Sequence, residues 1–228
     1  MTRRRGDTEP PLHLSPSPRL RVSASSPLLV NVALLILLLL VRPLIPWHVA
    51  DVEEGALHPR LLPTLPCPPA LSPPSHPPDG QVTAAALADV TGDGRPEWLL
   101  VVWRPWRDWP IQRWRDTPSP IAAFHDDAGH SCHLILLDAE SGREVWAGSA
   151  LPAPLAALGV GDVDGDRRNE LVTLEGEYTA GRSRATQVDL WHWNGFGFTL
   201  DWRSPPGLFH RLCLTDVDGD DILEIVVR

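Results

Sequence analysis

One nine-residue pattern occurs three times in this chain and constrains its fold more than any other feature. It reads DVTGDGRPE from Asp89, DVDGDRRNE from Asp162 and DVDGDDILE from Asp216. Each copy sits between two apolar runs of strand length: AAALA and WLLVV, LAALGV and LVTLE, and HRLCL and IVVR. The copies are offset by 73 and 54 residues, the span of a four-stranded unit with loops of variable length. Self-similarity at that period, with no convincing helical periodicity after Gln81, predicts repeated small antiparallel sheets. Two hairpins are legible within them, one turning at Asp138 to Gly142 and one at Asn194-Gly195.

Within each copy, oxygen-bearing side chains fall at positions 1, 3, 5 and 9. They are Asp89, Thr91, Asp93 and Glu97; Asp162, Asp164, Asp166 and Glu170; and Asp216, Asp218, Asp220 and Glu224. Glycine at position 4 (Gly92, Gly165, Gly219) permits a sharp turn that brings the side chains together. Bare carboxylates converging in this way repel one another and hold their protons more tightly. A hard divalent cation that takes six to eight oxygens relieves the repulsion, so the pattern predicts three Ca²⁺ sites. Thr91 makes the first the weakest. An EF-hand is excluded, because that loop needs Glu at position 12 leading into a helix. Position 12 here is Leu100, Thr173 or Val227, each within a strand-like run.

These three copies resemble the calcium loops of FG-GAP/VCBS repeats, the blades of integrin-α-like β-propellers. The segment LILLDAESGREVWAG also resembles a blade hairpin of quinoprotein-type propellers. The first resemblance covers residues 82–228 and implies an all-β fold, a partial β-propeller of FG-GAP type in which metal braces the first two strands of each blade. Counted in strands, the segment holds about two and a half blades, whereas closed propellers have about four to eight. The expectation is therefore a piece of a longer propeller with EIVVR at an open edge.

Before that segment the chain changes character. Residues 1–27 carry a basic cluster at Arg3, Arg4, Arg5, Arg19 and Arg21, and Leu28–Val41 is an uncharged apolar run. Extended to Trp47, the run approaches the roughly twenty residues needed to cross a bilayer as a helix. The reading is a transmembrane signal anchor over 28–47, with residues 1–27 as a cytoplasmic tail and the remainder exported. Cleavage as a signal peptide, giving a secreted protein, is the alternative. Residues 48–81 read as a linker, since Pro59–Pro78 holds nine prolines in twenty residues and favours an extended spacer. Three cysteines, Cys67, Cys132 and Cys213, allow one disulfide and leave one thiol over.

Function is constrained mainly by exclusion. A formal net charge of −9 argues against nucleic-acid binding. No nucleophile elbow or phosphate-binding glycine loop is present, and no residue is nominated as catalytic. The stretch WRPWRDWPIQRWR interleaves Trp103, Trp106, Trp109 and Trp114 with arginines, and exposed indoles of that kind stack on sugars. The main competing account is a loop whose indoles cover the first blade. HDDAGHSCH, from His125 to His133, offers zinc-type ligands, yet alternation along a strand points Cys132 and His133 apart. The expected protein is a non-catalytic calcium-binding module at the cell surface, tied to the membrane by its N-terminal helix and binding a protein or carbohydrate ligand. The alternatives are part of a propeller enzyme, such as a polysaccharide lyase or a quinoprotein, and a purely structural scaffold.

Overall fold

The computed structural model describes residues 47–52, 54–60, 67, 71, 80–108, 118–182 and 184–228. All belong to one compact unit, Pro43–Arg228. Among them are twelve strands and no helix: β1 (Trp47–Asp51), β2 (Ala56–Arg60), β3 (Gln81–Ala88), β4 (Glu97–Pro105), β5 (His130–Asp138), β6 (Glu144–Ala147), β7 (Leu155–Gly161), β8 (Glu170–Gly176), β9 (Ala185–Trp193), β10 (Phe198–Arg203), β11 (Leu212–Thr215) and β12 (Glu224–Val227). They form three four-stranded antiparallel sheets, none of which closes on itself. The first sheet has the order β3-β4-β5-β6, the second β7-β8-β9-β10 and the third β11-β12-β1-β2.

The sheets pack face to face, with the second between the other two. One face of the first sheet, through Leu99, Val101, Leu134 and Leu136, meets Leu155 and Leu171 of the second. The opposite face of the second sheet, through Val172, Leu174, Val188 and Leu190, packs on Leu214, Ile225 and Val227 of the third. This layering explains why WLLVVW and HLILL are continuous apolar runs. Leu99 and Leu100 point to opposite faces and neither is exposed, so β4 is buried on both sides. The outer faces carry their own buried groups: Leu100, Val102, Ile135 and Leu137 on the first sheet, and Trp47, Val49, Cys213 and Val226 on the third.

The leading strand of each sheet lies innermost, β3 against β7 and β7 against β11. These strands line a common cavity of about 320 Å³ that Cys67 and Leu71 also reach. The trailing strands β6, β10 and β2 are the outer edges, and each has a feature that blunts further pairing. β6 is only four residues long, β10 carries a bulge between Leu200 and Trp202, and β2 contains Pro59.

The third sheet differs from the expectation of two and a half blades. Its two missing strands come from the other end of the described chain: β1 pairs antiparallel with β12, His48 opposite Val227 and Val49 opposite Val226, and β2 pairs with β1. EIVVR is therefore not an open edge. Trp47, read as the last residue of the membrane span, begins β1 and is buried against Val226 and Cys213. Residues 47–60, read largely as linker, supply the completing hairpin. The proline density begins only at its end, so the apolar alternation of WHVAD could pair. The disulfide allowed by three cysteines joins Cys67 to Cys213, and Cys132 stays a buried thiol. The expected tail and the rest of the expected membrane span, residues 1–46, lie outside the described residues. No described helix is long and apolar enough to cross a membrane.

Candidate metal centre

Each copy of the nine-residue pattern joins the first two strands of its sheet: Asp89–Pro96 between β3 and β4, Asp162–Asn169 between β7 and β8, and Asp216–Leu223 between β11 and β12. Glutamate at position 9 opens the second strand in every case. The three loops share one hydrogen-bond scheme. The position 1 carboxylate accepts from the backbone at position 4 through Oδ1 and at position 6 through Oδ2. In the first loop Asp89 accepts from Gly92 at 2.7 Å and Gly94 at 2.8 Å; Asp162 accepts from Gly165 and Arg167, and Asp216 from Gly219 and Asp221. The position 5 carboxylates of Asp93, Asp166 and Asp220 accept from Arg95, Arg168 and Ile222. Glu97, Glu170 and Glu224 reach back to accept from Val90, Val163 and Val217 at 2.8, 3.0 and 2.6 Å. The pattern is thus a structural repeat as well as a textual one.

Folding the loop this way needs two left-handed residues. Position 4 is glycine in all three copies, with φ of 75°, 80° and 89°. Position 6 is also left-handed, and there only the first loop has glycine: Gly94 is followed by Arg167 at 72° and Asp221 at 69° in the other two. Sequence reasoning missed this second position, although Gly94 was a visible clue. A side chain in that conformation costs about 1–2 kcal/mol, against roughly 0.5–1 kcal/mol for the extra unfolded-state freedom of glycine. Arg167→Gly is therefore expected to stabilise the protein by about 0.5 kcal/mol, read as a shift in the denaturant midpoint at unchanged slope.

The acidic groups converge to different degrees. In the third loop Asp216, Asp218, Asp220 and Glu224 each place an oxygen within 4.8 Å of all the others. The first loop brings together Asp89, Asp93 and Glu97 by the same measure, and the Thr91 hydroxyl donates to Glu97 Oε1 at 2.9 Å. The second unites Asp162, Asp164 and Glu170, leaving Asp166 outside the group. Burial is the largest influence on Glu170 and drives its carboxyl up to about 7, with Asp164, Asp166 and Asp162 adding repulsion and the Val163 amide opposing it. Asp216 goes the other way: the Gly219 and Asp221 amides hold its carboxyl below the usual range. Oxygen-rich, acidic and poor in nitrogen or sulfur, these sets suit a hard cation such as Ca²⁺.

Successive loops are linked through position 8. The Asn169 side chain donates to the Asp89 carbonyl at 2.8 Å, and the Leu223 amide to the Asp162 carbonyl at 3.1 Å. Open clefts lie between them, one of about 750 Å³ bordered by Thr91, Asp164, His192 and Trp193, another of about 620 Å³ bordered by Asp164, Asp218, Asp51 and His58. A further acidic group that the sequence did not suggest, Asp51, Glu54 and His58, sits on the β1–β2 hairpin, where His58 pairs with Glu54 at 3.3 Å.

The other nominated residues fare differently. Trp103 is no exposed stacking face: it is buried, edge-on to Tyr178, and covered by the Arg182 guanidinium 4.1 Å from its ring. Alternation on β4 turns it into the first sheet's packed face. Trp106 is half-buried, tilts against His125 and donates from Nε1 to the Ile121 carbonyl. Trp109 and Trp114 lie outside the described residues. In HDDAGHSCH, Asp126 caps a turn by accepting from Ala128 and His130, while His133 meets Ser131 and the Gly148 carbonyl, so these side chains serve local structure. No protein-family model, curated protein or solved structure matches this chain.

Proposed function

We propose that the chain is a non-catalytic, calcium-braced module of the FG-GAP β-propeller type that presents the loop ends of its sheets to a protein or glycan at the cell surface. The observation that carries this reading is the shared loop scheme, which holds position 1 and position 9 oxygens in place in all three copies and gathers four carboxylates in the third. Asp89, Asp93 and Glu97, with Asp162, Asp164 and Glu170 and the full set at Asp216, Asp218, Asp220 and Glu224, would hold the ions. Thr91 and Asp166 adjoin their sites. Bound Ca²⁺ would supply positive charge between two adjacent strands and offset the carboxylate repulsion. The clefts between loops provide concave surface on the same side for a partner. In this reading Leu28–Val41 ties the module to a membrane.

The test is thermal unfolding with 2 mM Ca²⁺ and then with chelator. Sites of the extracellular class, with Kd of about 10⁻⁴ to 10⁻³ M, should each add roughly 1 kcal/mol, which for a domain of this size raises the midpoint by about 2–4 °C per site. Asp218→Asn should remove the largest single share, because it breaks the most complete ligand set. An unchanged midpoint across the chelator step would rule the calcium reading out.

A further inference from the structure

Between the first and second sheets lies a cavity of about 240 Å³ that the loop chemistry does not use. Its walls are mainly apolar and include three aromatic rings, Trp146 from β6, Trp191 from β9 and Phe198 from β10, beside aliphatic groups such as Leu134 and Ala153. Trp146 and Phe198 stand edge to face, centroids 5.6 Å apart, so the rings are held in place by one another. Trp191 spends its one polar hydrogen internally, donating Nε1–H to Thr173 Oγ1 at 3.0 Å. The cavity exceeds the ~150 Å³ of an apolar void that admits benzene.

One wall breaks this apolar pattern. Glu175 lines the cavity, and its side chain is only 13% exposed. Arg203 donates Nη2–H to Glu175 at 2.9 Å, but the same guanidinium also makes a bidentate pair with the fully buried Asp189, at 2.8 Å on both oxygens. Among the described residues two carboxylates therefore share one cation, and when Glu175 is ionised, as at pH 8, one negative charge is left over beside a set of aromatic rings. Aromatic faces attract cations, and an ion pair shielded from water is far stronger than one at the surface. Calcium does not fit, since the cavity offers one carboxylate where that ion takes six or more oxygens, and a zinc-type ion would find no histidine or cysteine in the lining.

We propose that this cavity binds a small organic monocation, an ammonium group on an aromatic or alkyl body, with the charge against Glu175 and the body between Trp146, Trp191 and Phe198. The site is independent of the calcium loops. The probe is phenethylammonium chloride, with 2-phenylethanol as a neutral molecule of the same shape. Both are titrated calorimetrically at pH 8, and contact is followed by saturation-transfer NMR. The amine should bind at least about tenfold more tightly than the alcohol. Glu175→Gln should reduce the amine to the level of the alcohol, and Ala153→Phe, which fills the cavity from a loop, should abolish both. Equal binding of amine and alcohol, amine binding unaffected by Glu175→Gln, or no amine binding at millimolar concentration would each overturn the proposal. Should the Glu175 variant fail to fold, amine binding that survives Ala153→Phe overturns it instead.

Discussion

Reducing the Cys67–Cys213 bridge should lower the thermal midpoint by roughly 10–20 °C. The bridge spans 146 residues of sequence. On the chain-entropy account, a loop of that length restricts the unfolded ensemble by about 5 kcal/mol. For a domain of 150–250 residues, each kcal/mol moves the midpoint by about 2–4 °C. The location of the bridge argues that the native state keeps that benefit. Cys213 lies in β11, which lines the cavity shared by the three leading strands, and its partner reaches the same cavity from the proline-rich stretch. The check is calorimetry of the oxidised protein, the reduced protein and a Cys67→Ser/Cys213→Ser double variant, with thiols counted in each. The double variant should match the reduced protein. A shift under about 3 °C with three titratable thiols would show that the bridge constrains little.

Stability should also fall as pH rises from about 4.5 to 7. Burial is the largest influence on Glu175 and pushes its carboxyl up to about 7, with Asp189 adding repulsion and Arg203 opposing it. In the unfolded chain the group titrates near 4.3. Below that value both states are protonated and there is no penalty. Between the two values the unfolded chain releases its proton first, so stability declines with rising pH, and above about 7 the full penalty remains. The displacement corresponds to a penalty of roughly a few kcal/mol. Glu170 lies in the same range and adds a parallel decline. Asp216, held low, acts in a lower window: its contribution is complete above about 3.9 and is lost as pH falls through its depressed native value. In chelator, maximum stability should therefore fall near pH 4–5. Chemical denaturation from pH 4 to 8 checks this, and Glu175→Gln should remove about half of the decline. A variant whose profile matches the parent would mean that Glu175 titrates normally.

The loops were the most legible part of the molecule. Their oxygens lie at fixed short spacing, and their turns depend on glycine at position 4, so local sequence suffices to place them between two strands. The strands were legible for a related reason: β4 and β5 are buried on both faces, and only continuous apolar runs survive there. Less accessible was the left-handed position 6, because Arg167 and Asp221 carry no conformational signature and are held there by bonds to Asp162 and Asp216. The convergence of ligands was also only partly legible. Position numbers cannot say that Asp166 stands apart while Asp220 joins its group.

Local sequence was enough for the three acidic loops, the all-β character of the described residues from Gln81 onward and the hairpins at Asp138 and Asn194, since each depends on contacts within a few residues. Tertiary structure alone decided that Trp47–Arg60 completes the sheet built from Leu212–Val227, that Cys67 rather than Cys132 meets Cys213, and that Trp103 is core. It also decided that Glu175 and Asp189 share one arginine beside an aromatic cavity. Each of these pairs residues remote in sequence or chooses between the two faces of a strand, and what settles it is which surfaces must leave water together.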